Sequence, residues 1–130
     1  MEMKTTAVGG SEFCLVLTPT WSAAIRAREA ILRGLGILSE QTRRDLATVV
    51  FELVQNSVDH GPRRPIIVTV VVGGNSIRGE VSGHAPVVGP AQINDREKSD
   101  ASGLALVDRL TSRWAVQGST DVWFEIPLGG

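Results

Sequence analysis

Apolar and polar positions alternate between two periods along this chain. From Ser11 to Leu17 the sequence is short and apolar and then meets Thr18-Pro19, which predicts a strand followed by a helix with Thr18 capping and Pro19 in its first turn. From Thr20 to Leu35, Trp21, Ala24, Ile25, Ile31, Leu32 and Leu35 follow helical spacing, with Arg26, Glu29 and Arg33 on another side and Gly34 and Gly36 closing the helix. Ser39 with Thr42 starts a second helix. Its apolar stripe, Leu46, Val49, Val50, Leu53, Val54 and Val58, ends near Gly61-Pro62. Pro65 to Val72 is rich in β-branched residues, Gly73-Gly74-Asn75 is a turn signal, and Ser76 to Ser82 resumes a strand pattern, so this pair predicts a hairpin. Periodicity then disappears from Gly83 to Ser102. A structureless stretch of about twenty residues inside a compact domain suggests a lid. Gly103 opens a short helix, Leu104 to Leu110, and two strands follow, Arg113 to Gln117 and Val122 to Ile126. The predicted order β-α-α-β-β-lid-α-β-β fits a two-layer α/β (α+β) sandwich, with helices on one face of a mixed or antiparallel sheet.

Length and composition narrow this picture. A chain of 130 residues, 42% hydrophobic and 21% charged, fits one globular domain over residues 11–130, preceded by a loose, flexible lead-in over 1–10. Thirteen basic and fourteen acidic residues leave a formal charge of -1, so no global field draws the chain to nucleic acid. Trp21, Trp114 and Trp123 read as core or rim packing, since no basic stripe accompanies them. No apolar segment resembles a signal peptide or a membrane helix, and a cytoplasmic location is expected. The lone cysteine, Cys14, lies in the apolar run FCLVL and reads as a buried packing residue before a reactive thiol.

The candidate chemistry lies in ELVQNSVDHG, residues 52–61. Glu52, Asn56 and His60 are spaced by four, and each step advances a helix by about 6 Å and roughly 40° past one turn, so the three drift slowly across one side. In an arbitrary helix such residues are polar flanks of an apolar stripe. Here SGLALVDRL adds a glycine at a loop-to-helix junction, where free N–H groups favour phosphate. Glutamate as base, asparagine as an oxygen ligand for magnesium and a glycine-led helix start together make a nucleotide site.

The spelling and order of ELVQNSVDHG, EVSGHAP, SGLALVDRLTSRWAV and DVWFEIPL resemble the anti-sigma-factor serine/threonine kinases of the GHKL ATPase superfamily, from about Ser11 onward. The resemblance implies a Bergerat-type ATP-binding fold, a helical layer on one face of a mixed sheet, and partners that are a sigma factor and an anti-sigma-factor antagonist. It also implies ATP with Mg²⁺, and a homodimer is compatible with it. By position, Glu52 would orient or deprotonate the attacking hydroxyl and Asn56 would coordinate Mg²⁺. Gly103 and Leu104 would offer N–H groups to phosphate. His60 aligns with the motif's closing histidine and is either a nucleotide contact or a helix-end residue held locally. Thr120 is either on the adenine side or a plain turn threonine. Where the family has D-x-G-x-G, whose aspartate accepts from the adenine amino group, this chain has Gly83-His84-Ala85-Pro86-Val87, so Gly83 and Ala85 would border the base without that carboxylate. Its loss weakens binding by about 1.5–3 kcal/mol, roughly one to two orders of magnitude. Glu80 has the opposite strand parity to Gly83. Two functions follow as expectations: a transcription-regulating kinase that phosphorylates a partner protein, or a kinase-fold protein-binding module with weak or lost ATP binding.

Overall fold

The computed structural model describes residues 3–8, 12–83, 104–118 and 121–128. Six strands form one sheet: β1 (Met3–Val8), β2 (Glu12–Leu17), β3 (Ile66–Gly73), β4 (Ser76–Val81), β5 (Arg113–Gln117) and β6 (Asp121–Pro127). They lie in the order β1-β2-β3-β4-β6-β5. Every ladder among them is antiparallel, one of the two alternatives read from the residues, and this corrects the mixed sheet that the resemblance implied. The expected lead-in over 1–10 is corrected as well. β1 pairs with β2 from Met3↔Leu17 to Val8↔Glu12, although MKTTAV alone lacks the alternation that announces a strand.

Among the described residues three helices make the second layer: α1 (Ala23–Gly34), α2 (Glu40–His60) and α3 (Leu104–Leu110). α2 begins where Ser39 Oγ accepts from the Thr42 amide at 3.2 Å, the N-cap expected from the sequence. α1 begins later than expected. Thr18 and Pro19 precede a turn in which the Thr20 amide donates to the Thr18 carbonyl, and Ser22 is the N-cap residue, without a side-chain cap bond.

The core lies between the layers. Phe13, Leu15 and Leu17 of β2, Val68 and Val70 of β3, Ile77 and Val81 of β4, and Val122, Phe124 and Ile126 of β6 alternate inward to meet Ile31, Leu46, Val50, Leu53 and Val107. Alternation with period two delivers one face of each strand to the helices. Gly79 makes room for this packing: it pairs with Phe124, and a Cβ there would overlap the Phe124 ring. The β3–β4 hairpin turns through Gly74-Asn75 with Gly74 at φ 59, the positive value that the first position of a type II′ turn requires.

The opposite sheet face holds the alternate residues. Cys14 is there, half-buried, and not in the core as expected. Around β6, Glu125 bonds Arg113 at 2.9 Å and Arg78 at 3.4 Å, and both guanidinium groups lie over the Trp123 ring, 5.5 and 4.5 Å from its centroid. Trp114 is buried and its Nε1–H donates to Asp108 at 2.9 Å. Trp21 breaks the expected pattern: it is 81% exposed.

Candidate functional site

α2 is 21 residues long, about 30 Å, and crosses the middle of the sheet against β3, β4 and β6. α1 packs beside it over β2, and α3 packs on it from the end that holds β5. The two flanks of α2 differ in chemistry. Phe51, with Arg28 of α1 5.1 Å from its ring centroid, belongs to the α1 flank. Glu52 lies about 100° around the helix from Phe51 and Asn56 follows one turn later, so both stand on the flank turned toward α3.

Asn56 is 8% exposed and hydrogen-bonded or otherwise engaged. Glu52 is half-buried, pairs with no cation among the described residues, and desolvation by burial holds its carboxyl above the ordinary value. A carboxylate destabilised in its charged form is a stronger proton acceptor than a solvated one. His60 is the last residue of α2 and is exposed.

Past His60 the chain turns at Gly61, whose amide donates to the Ser57 carbonyl at 2.9 Å. Gly61 also meets Gly83. A Cβ on Gly61 would overlap the Gly83 carbonyl and would stand 2.6 Å from the Ser57 carbonyl oxygen, so only glycine allows this approach. The motif's last residue and the strand-end glycine, 22 positions apart by number, are therefore in backbone contact. Gly83 adopts φ 77, and its missing Cβ would face the Pro65 carbonyl at 3.6 Å and Ile66 at 3.9 Å. Space for a side chain exists there; the backbone angle is what an L-residue resists.

Next to Gly83 a cleft of about 200 Å³ is lined by Arg64, Pro65, Ser82, Gly83 and Asp121. Arg64 and Asp121 were not candidates from the sequence. The signal for Asp121 is the β4–β6 register, Val81↔Val122, which brings Ser82 level with Asp121 and exists only once the sheet is formed. Glu80 does lie on the sheet face opposite the helices, between inward Gly79 and Val81 and paired with Trp123.

Of the other sequence candidates, Leu104 is buried at the first turn of α3. Ala85, Gly103 and Thr120, with the expected lid, lie outside the described residues. No cluster of three His, Cys, Asp or Glu side chains that suits a metal ion occurs among the described residues. The oxygens of Glu52 and Asn56 fit magnesium, which takes one or two protein oxygens and completes its shell with phosphate and water. Among the described residues no helix is long and apolar enough to cross a membrane. Comparison of the sequence with protein-family models and with curated proteins gives no match.

Proposed function

We propose that the chain is an ATP-dependent serine/threonine protein kinase of the anti-sigma-factor type, with its nucleotide site on the α3 flank of α2. The observation that carries this reading is the pair formed by half-buried Glu52 and buried Asn56, one turn apart on the flank of α2 away from α1, with burial raising the Glu52 carboxyl. Asn56 would supply a neutral oxygen to Mg²⁺, and ATP would supply the transferable phosphoryl group. Glu52 takes the proton from a partner's hydroxyl and holds that oxygen in line. The reading includes a Bergerat-type arrangement of the fold and a partner protein that carries the hydroxyl.

A second reading, a protein-binding module without useful ATP affinity, is favoured by Gly83. At φ 77 it presents no side-chain acceptor where the kinases it resembles present an aspartate, and its carbonyl lies close against Gly61.

Titration calorimetry with ATP, with and without Mg²⁺, separates the two. Micromolar, magnesium-dependent binding that Asn56→Ala weakens supports the kinase; absence of binding at millimolar ATP leaves the module. Given binding, Glu52→Gln is expected to keep ATP affinity and lose ATP turnover at least a hundredfold. Normal turnover in that variant ends the assignment of Glu52. Gly83→Asp is a less direct test than the sequence suggests, because the new side chain must be accommodated at a positive φ.

A further inference from the structure

The order of residues on α2 gives a bound nucleotide a direction. Glu52 has to meet the hydroxyl that attacks the outermost phosphorus, and Asn56, one turn later, is placed for Mg²⁺ on the phosphates behind it, so the base lies further along the helix. Gly61 stands about 7.5 Å beyond Asn56 along the axis and lies against Gly83. The end of α2 and the end of β4 therefore make the place where a base would rest.

What can be read there depends on which side chains face it. Among the described residues, the acceptor side chains near that end of β4 and β6 are Glu80, Ser82 and Asp121, and all three stand on the sheet face turned away from the helices. Glu80 alternates with inward Gly79 and Val81 and pairs with Thr69 and Trp123. Ser82 Oγ is held by Ile67, accepting from its amide at 3.1 Å and donating to its carbonyl at 3.4 Å. Asp121 alternates with Val122, which has no exposure. On the helix side the same strand ends carry Ile66, Val81 and Val122, which have no polar side-chain atom. Gly83 adds no side chain. His60 is exposed, and a neutral imidazole donates with one ring nitrogen and accepts with the other, so it meets either kind of base edge.

Adenine and guanine have opposite polarity at position 6, an amino donor in one and a carbonyl acceptor in the other. A fixed carboxylate accepts from the first and repels the second, a discrimination on the order of a hundredfold or more, because the wrong base leaves a buried group unpaired. Apolar walls bury either ring to a similar extent and tell the two apart weakly. We infer that the site takes purine nucleoside triphosphates without regard to the group at position 6, so that ATP, GTP and inosine triphosphate are equivalent ligands and selection lies with the Mg²⁺-triphosphate at Asn56. This rests on the nucleotide reading given above and widens its substrate class from ATP to purine nucleoside triphosphates.

The test is titration calorimetry of the full chain with ATP, GTP and inosine triphosphate, each with Mg²⁺, followed by titration of GTP into the chain saturated with ATP. Inosine triphosphate carries the carbonyl of guanine without its 2-amino group, so it isolates position 6. The expected result is three dissociation constants within about fivefold of one another, and GTP that binds only by displacing ATP. A preference of more than about fivefold for any one of the three overturns the inference and leaves the nucleotide reading standing. GTP binding beside ATP, at a second site, overturns it in the same way. Absence of binding by all three at millimolar concentration overturns the nucleotide reading and this inference together.

Discussion

Two glutamates of this protein are tuned in opposite directions. On the open face of the sheet, Glu125 accepts from Arg113 and Arg78, and those bonds, Arg113's first, hold its carboxyl below the ordinary value. On the α3 flank of α2, Glu52 has no cation among the described residues, and burial alone moves its carboxyl above the ordinary value. One region uses charge to tie three strands together; the other carries a charge that the fold disfavours. A carboxylate kept at a cost in stability is what a functional site requires, and one between arginines is what a scaffold requires.

The largest way to break this contrast is to open the core behind Glu52. Leu53→Ala, at a position with no exposure, is expected to cost about 2–5 kcal/mol in urea denaturation and to let water reach the adjoining carboxyl. Gly61→Ala comes next. The added methyl overlaps the Gly83 carbonyl, so the end of α2 or the end of β4 must move, at about 1–3 kcal/mol in the same assay. A variant as stable as the parent would mean that the two ends are not held together.

Smaller effects sharpen the comparison through pH. The folded state raises Glu52 above its unfolded value, so its contribution is fully present only below the unfolded range near pH 4 and is lost as the pH rises through the folded value. Glu52→Gln is therefore expected to raise Tm slightly at pH 7, with the gain fading toward pH 4. Glu125 is depressed on folding, so its contribution is present above the unfolded range and is lost as the pH falls through the folded value. Glu125→Gln is expected to lower Tm slightly at pH 7, less in high salt, and to match the parent in strong acid. Thermal melts at several pH values check both, and the same sign for the two variants would remove the distinction between the regions.

The sequence disclosed elements better than faces. The β3–β4 hairpin was legible because β-branched runs flank a turn that Gly74 suits, and α2 was legible because Ser39 caps it and its apolar stripe is continuous. β1 was not, since MKTTAV owes its strand conformation to the ladder with β2. On α1, helical spacing grouped Trp21, Ile25 and Leu32 with the core, because spacing cannot say which of two adjacent apolar faces meets the sheet. In the candidate site, the neighbourhood of Glu52 and Asn56 follows from one helix and was readable. The contact of Gly61 with Gly83, and the arrival of Asp121 beside them, depend on tertiary pairing and left no trace in the local pattern.

The pairing of Leu17 with Ile66 has a kinetic consequence. That ladder closes a loop containing both α1 and α2, and the entropy of closing it is offset only when the two helices already pack and bring their ends together. Joining of the β1–β2 and β3–β4 hairpins is therefore expected to wait on the helical hairpin. Ala27→Gly, within the buried face of α1, is expected to slow refolding more than it speeds unfolding, visible in the folding arm of a chevron plot; a change confined to the unfolding arm would reverse that order of events.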